Sequence, residues 1–290
     1  MKQEWEPTVD RGNRTSDEHA HYLNLREMQL ALLDMLKAFD SFCRSHGLAY
    51  SLTSGTMLGA IRERGFIPWD DDLDVSMARP DYDRLIALRT LFREETGMDI
   101  KGHAELDVKD AAFVKVRHPS IKAHSEYEAH EGTLWIDIFP ADGFPVDDAA
   151  HLKRCRKVRF NQLALAALNR SPVPDEPLSK RITIRLLKPF SYSYAIRAHF
   201  AHRITDLSAA VPYGSTPFAG NLAWGMAGAR ERMSFEGYDA KVDLEFEGCP
   251  FMGMAGWEEY LETVFGEWKV PPPPEQRKNH KVKAWRTESS

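Results

Sequence analysis

Apolar residues first fall into register at Leu25, Met28, Leu32, Met35, Leu36, Phe39 and Phe42, the spacing of one helix face. The pattern predicts a helix from residue 25 into the forties, with Gly47 just beyond its end. A short strand is expected at 49–52, then a tight turn at Thr53-Ser54-Gly55, then a short helix to about Arg64 closed by Gly65. Pro68 pushes Ile67 towards an extended conformation. Residues 72–77 alternate polar and apolar, the period of a half-buried strand. Asp72, Asp74 and Ser76 fall on one face and Leu73, Val75 and Met77 on the other. Pro80 suits the first turn of a helix running to about residue 96. Strands are predicted at 113–117 and 133–139, the second ended by Pro140. Asp148 suits the cap of a long helix to about 169, and a helical segment is expected at 180–203. Residues 211–250 read as irregular and rich in glycine. A last helix is expected at 257–265, stopped by Gly266, before a proline run at 271–274 and a polar tail. The fold class expected is α/β (α+β): a small mixed sheet flanked by helices, followed by a mostly helical C-terminal lobe. The divisions are a loose tail at 1–20, a core at 21–146, a helical and irregular lobe at 147–270 and a polar tail at 271–290.

Composition narrows the class. The chain has 290 residues, 43% hydrophobic and 28% charged, enough for a packed core. A net charge of −5 argues against a nucleic-acid partner. Cys43, Cys155 and Cys249 are far apart and form no CxxC pair, which fits reduced thiols in a cytoplasmic protein better than a disulfide framework or a cysteine zinc site. Neither a signal-peptide core nor a run of about 18 apolar residues is visible, so a cytoplasmic protein, peripheral to the inner face of a membrane at most, is the expectation.

The unusual chemistry lies in Asp70, Asp71, Asp72 and Asp74, four acids within five positions. Like charges this close repel, so water, basic side chains or a divalent metal must compensate. One reading is a solvated acidic turn. A calcium loop is disfavoured, because the glycine of its repeating Asp pattern is missing. A third reading rests on Asp72 and Asp74: carboxylates at i and i+2 of a strand point the same way and can share a hard cation such as Mg²⁺. Asp137, inside the apolar run Trp135-Ile136-Asp137-Ile138-Phe139, is either paired with Lys115 or Arg117 or serves as a metal ligand or general base. Upstream, Ser54-Gly55-Thr56 stands at a strand-to-helix junction, where backbone N–H groups and hydroxyls can cradle a phosphate.

Ser54-Gly55-Thr56-Met57-Leu58-Gly59-Ala60-Ile61-Arg62, Gly65-Phe66-Ile67-Pro68-Trp69-Asp70-Asp71-Asp72-Leu73-Asp74-Val75 and Arg79-Pro80-Asp81-Tyr82 together strongly resemble the LicD family of phosphorylcholine and fukutin-type ribitol-phosphate transferases. Further segments resemble it too: Lys115-Val116-Arg117, the strand from Trp135 to Pro140 with Asp142-Gly143, Phe246-Glu247-Gly248, Tyr260-Leu261, Phe265-Gly266, the proline run and His280. The resemblance spans roughly residues 25–280. It implies a nucleotidyltransferase-like core, with Asp72, Asp74 and Asp137 as the metal-binding and catalytic carboxylates. Ser54, Gly55 and Thr56 would hold phosphate. The implied cofactor is Mg²⁺ or Mn²⁺. The implied reaction moves a phospho-alcohol from a CDP-activated donor to a hydroxyl of a glycan or lipid-linked glycan and releases CMP. Phe265-Gly266-Glu267-Trp268 departs from the family's usual Tyr-Gly-Asp before the prolines.

Other residues have two readings each. Lys115 and Arg117 are solvent-facing strand charges or hold the donor's pyrophosphate. Arg62 and Arg64 offset the acidic cluster or touch substrate. Trp69 is a packing anchor or stacks on cytosine. Arg277 and His280 close over phosphates or belong to a solvated tail. The basic, aromatic segment 180–203 is a helix packed on the core or an interfacial helix near anionic lipid. Two other functions compete: a nucleotide-sugar glycosyltransferase using the Asp-x-Asp pair, and a non-catalytic glycan-binding protein with a degenerate site.

Overall fold

The computed structural model describes residues 20–102, 112–125, 132–169, 193–225, 227–277 and 279–287, with isolated positions between 178 and 190. The expected tail over residues 1–19 lies outside them. In chain order the elements are β1 (Ala20–Tyr22), α1 (Leu25–Ser45), β2 (Ser51–Leu52), α2 (Ser54–Arg62), β3 (Asp74–Ala78), α3 (Arg79–Ala87), α4 (Arg89–Thr96), β4 (Asp99–Gly102), β5 (Val114–Ser125), β6 (Gly132–Gly143), α5 (Asp148–Asn169), α6 (Tyr194–Ala209), β7 (Phe218–Gly220), β8 (Met233–Ser234), α7 (Phe235–Asp239), β9 (Lys241–Phe246), β10 (Cys249–Met254), α8 (Trp257–Phe265) and β11 (Val282–Thr287).

A nine-stranded mixed sheet runs β1-β11-β5-β6-β3-β2, with β4 also on β5, β7 on β6 and β8 on β7. β3 and β6 are parallel neighbours, and the other pairings are antiparallel. α1 starts with a capping box between Asn24 and Glu27 and buries Leu32, Leu36, Phe39 and Phe42 in the main core. Burial of this apolar stripe, rather than intrinsic propensity, holds the helix in place.

Both long strands outrun their predicted ends. Pro140 does not stop β6. It pairs with Met77 of β3, while on the other side the β5 ladder has already ended at Val114 opposite Ile138. The missing amide therefore costs no bond on the β5 side. β5 shifts register between Arg117 and Lys122, where His118 Nδ1 accepts the amides of Ser120 and Ile121 at 3.1 and 2.9 Å. This bulge divides the outer edge of β5: β4 takes the residues before it and β11 those after it. The helix expected at 80–96 is two helices meeting at Leu88, whose ψ of 7° leaves helical geometry.

The C-terminal part is less helical than expected. β7 to β11 all lie beyond residue 210, and the stretch read as a polar tail ends in a strand of the main sheet. These strands are short and their partners distant, so the chain shows no sustained alternation there. β9 and β10 form a hairpin over Glu247 and Gly248, both at positive φ (51° and 73°), the twist that a two-residue turn requires.

Candidate functional site

The carboxylates meet through strand register. Asp74 opens β3 and pairs with Asp137 of the parallel β6, and Asp137 pairs in turn with Lys115 of β5. Directly paired residues share a sheet face, so Asp74, Asp137 and Lys115 form one row across three strands. Lys115 Nζ lies 3.1 Å from Asp137 Oδ1 and 4.3 Å from the centre of the Trp135 ring. Trp135 Nε1 donates to Asp137 Oδ2 at 3.3 Å. Asp137 is thus ion-paired with Lys115, the first of its two sequence readings, and stands in register with Asp74.

Arg117 lies one row further along. Its Nη1 donates to the Thr133 carbonyl at 2.9 Å, and its guanidinium packs over Trp135 and against Gly132. It supports the strand pair and does not join the acids. Arg62 is likewise occupied elsewhere, with Glu63 at 2.7 Å and the Trp268 carbonyl at 3.0 Å. It does not offset the acidic cluster.

The predicted phosphate turn is the first turn of α2. Ser54 adopts a φ of 51°, and its amide donates to the hydroxyl of Tyr260 at 3.0 Å, which also bonds Thr53 Oγ1 at 2.9 Å. The Ser54 amide is therefore committed to Tyr260. The amides of Gly55 and Thr56 follow it in the first turn, where a helix offers no internal acceptor. Thr56 Oγ1 accepts the amide of Asp74 at 2.9 Å, tying the helix start to the start of β3. A Cβ on Gly55 would stand 2.7 Å from Asp70 Oδ2, so this backbone lies directly against the Asp70 carboxyl.

A segment the sequence left open completes the site. Residues 272–277 and 279–282 lie against the acidic loop. Arg277 stacks 4.3 Å from the centre of the Trp69 ring, so Trp69 faces this segment. Asp71 Oδ1 and Oδ2 accept the amides of His280 and Val282 at 2.7 and 2.8 Å, fixing the lead-in to β11. His280 Nδ1 sits 3.0 Å from Asp72 Oδ2 and 3.6 Å from Asp71 Oδ1. Tyr260 was visible in the sequence only as part of the family resemblance, and His280 was read there as closing over phosphates or as part of a solvated tail. Asp71 showed no sign of a clamping role, because both amides it holds are more than 200 residues away.

The electrostatics divide the acids. Burial pushes Asp74 well above the usual carboxylate range, and the charges of Asp72 and Asp137 add to the shift. Burial raises Asp70 too, helped by the charge of Asp72 and the hydrogen bond to it. Of this hydrogen-bonded pair, Asp70 is thus the carboxyl on which burial favours a proton. In Asp72 burial works upward but is outweighed by the hydrogen bond and charge of His280, leaving its carboxyl below the usual range. His280 is pushed up to about 12, by its hydrogen bonds to Asp71 and then Asp72. Lys115 and His280 are thus the protein's own counter-charges, one at each end of the carboxylate group.

Among the described residues, Asp71, Asp72 and His280 offer ligand atoms within 4.8 Å of one another, a possible acidic metal site. Both oxygens of Asp71 already accept amides, which makes it a clamp first. Asp72, Asp74 and Asp137, expected from the sequence as ligands, are not among the residues whose ligand atoms converge in this way; register brings only Asp74 and Asp137 side by side, and a hard cation would relieve the repulsion between them. The chemistry of these donors fits Mg²⁺ or Mn²⁺.

Residues 47–169 match the family model described as LicD/FKTN/FKRP, nucleotidyltransferase domain. Over 271 residues the chain is 26% identical to the lipopolysaccharide cholinephosphotransferase LicD of Haemophilus influenzae, covering 90% of this chain and 97% of that protein. A stretch of 52 residues is 38% identical to an uncharacterized protein of Rickettsia prowazekii, 18% of this chain and 20% of that one. Residues 47–169 thus match the LicD/FKTN/FKRP nucleotidyltransferase domain, and the chain is similar to the Haemophilus protein along most of its length.

Proposed function

We propose that this protein transfers a phospho-alcohol, such as phosphocholine, from a CDP-activated donor to a hydroxyl of a cell-surface glycan or glycan precursor. The observation that carries the reading is the row Asp74–Asp137, with Asp72 beside it, facing the first turn of α2. The name of the Haemophilus relative supports the reaction class and the choice of choline donors for testing.

Asp72 and Asp74 would hold Mg²⁺ or Mn²⁺, with Asp137 completing the donor set; the cation would supply charge neutralisation on the donor's phosphates. The amides of Gly55 and Thr56 orient a phosphate from the helix end. Lys115, held by Asp137 and Trp135, supplies a fixed positive charge beside the row. The acceptor oxygen forms the new bond to the phosphorus bearing the alcohol, and the bond to CMP breaks. The hydroxyl proton passes to a carboxylate, for which Asp137 is best placed. His280 keeps Asp72 ionised and oriented.

The test is calorimetric titration of CDP-choline, CDP-ribitol and CDP-glycerol with and without Mg²⁺, on the wild type and on Asp74→Asn, followed by an assay of CMP release. Metal-dependent binding of one donor, lost in the variant while circular dichroism is unchanged, is the expected result. Asp72→Asn should behave alike. Full turnover by the Asp72→Asn/Asp74→Asn double variant, or binding of a UDP- or GDP-sugar in place of every CDP donor, would overturn the proposal.

A further inference from the structure

α5 turns His151, Cys155, Val158, Leu165 and Leu168 inward. Its outer face is unusual. Leu152, Phe160 and Leu163 are 44%, 68% and 54% exposed, large apolar side chains presented to solvent on one helix. Around them stand Lys153, Arg156, Lys157 and Arg159, all exposed. No acid lies on the exposed part of this helix beyond its first residue, Asp148, which is paired with Arg232. Between α5 and the neighbouring α6 runs a groove of about 370 Å³, lined by Arg156, Lys157, Phe160, Asn161, Arg203 and Leu207. Its floor is apolar and its rim basic, with Asp206 of α6 an exposed acid close along the chain.

The following stretch repeats the composition. Leu178, Ile182, Leu186, Phe190 and Tyr194 are spaced four residues apart, and each is about half exposed or more. Between His151 and Arg203 the chain carries twelve Lys and Arg against two acids, Asp175 and Glu176, although the whole chain has a net charge of −5. Positive charge is therefore concentrated where large apolar groups are exposed.

We propose that the outer face of α5, with the α5–α6 groove, docks on an anionic phospholipid surface. Charge complementarity chooses the occupant: Arg156, Lys157 and Arg203 meet headgroup phosphates, while Phe160 and Leu163 enter the acyl boundary. A nucleic acid would satisfy the cations but leave these apolar groups without a hydrophobic partner. Among the described residues no helix is long and apolar enough to cross a membrane, so contact is made in the plane of the interface. The inference does not depend on the reaction assigned to the carboxylate site.

Co-sedimentation with phosphatidylcholine vesicles, with and without phosphatidylglycerol, tests it. The full chain is expected to sediment with the anionic vesicles only, and less as salt is raised. Two surface variants, Phe160→Ser/Leu163→Ser and Arg156→Glu/Arg203→Glu, should each lower partitioning about tenfold or more, with unchanged circular dichroism and CDP-donor binding. Absence of wild-type sedimentation, or equal sedimentation of both variants, overturns the proposal. So does displacement of the vesicles by an oligonucleotide at equal charge concentration, which makes the face a nucleic-acid surface. A wild-type dimer dispersed by Phe160→Ser/Leu163→Ser, without vesicle binding, also overturns it and assigns the face to self-association.

Discussion

Gly59 sits on α2 where a Cβ would stand 2.4 Å from the Gly65 carbonyl oxygen and 3.3 Å from the Ile67 amide. Both neighbours are backbone, so no side-chain rotation relieves the contact. Gly59→Ala is expected to lower stability by about 1–3 kcal/mol, read from urea unfolding, by pushing the loop that leads to the acids away from α2. Tyr260 is the second such residue. Its hydroxyl takes the amide of Ser54 and bonds Thr53 in a buried position. Tyr260→Phe leaves that amide without its acceptor and should cost about 1–3 kcal/mol. Because Ser54 begins the proposed phosphate turn, weaker donor binding in calorimetry should accompany the loss. A variant as stable as wild type would mean that the Ser54 amide finds another acceptor.

At the scale of elements, the β9–β10 hairpin is fastened to the N-terminal half by its turn residue. Glu247 accepts both terminal nitrogens of Arg26 at 3.0 and 2.6 Å and the amide of Phe66 at 3.2 Å, while its own amide donates to Arg64. The hydrogen bond from Arg26 outweighs burial and holds the Glu247 carboxyl below its ordinary value near 4.5. A carboxyl depressed in the folded state adds stability above its unfolded pKa and loses it as pH falls through the folded one. Arg26 is more than half exposed, so the pair is screened and contributes about 1 kcal/mol or less. Glu247→Gln should therefore be less stable than wild type at neutral pH, and the gap should close under acid, below about pH 4.5. A gap that widened on acidification would contradict this assignment.

For the whole molecule, the C-terminal strand is decisive. β11 lies between β1 and β5, and its lead-in is held by Asp71 and brings His280 to Asp72. Asp71→Ala would strand two amides and should cost about 1–3 kcal/mol. Limited proteolysis should then cut first between residues 272 and 282. Truncation after residue 270 removes one neighbour of β5 and the sole strand partner of β1 among the described residues. It is expected to lower the melting temperature by several degrees and to abolish donor binding. A truncated protein that binds donor normally would show that the acids need neither His280 nor this strand.

Reading the sequence alone located α1, α2, α5 and α8 closely, because each buries one continuous apolar face or carries its own start and stop residues. It also singled out Asp72, Asp74 and Asp137, since acids inside alternating or apolar runs stand out locally. Other features were decided by tertiary structure. The pairing of Asp74 with Asp137 and of Asp137 with Lys115 depends on strand register. The extension of β6 through Pro140 depends on where β5 ends. The commitment of the Ser54 amide to Tyr260, and the place of the last polar residues as β11, join positions more than 150 residues apart. Local patterning reports the face that a segment must bury. Which distant strand or side chain meets that face is set by packing, and in this protein packing sets Asp74 beside Asp137, Asp137 beside Lys115 and Asp72 beside His280.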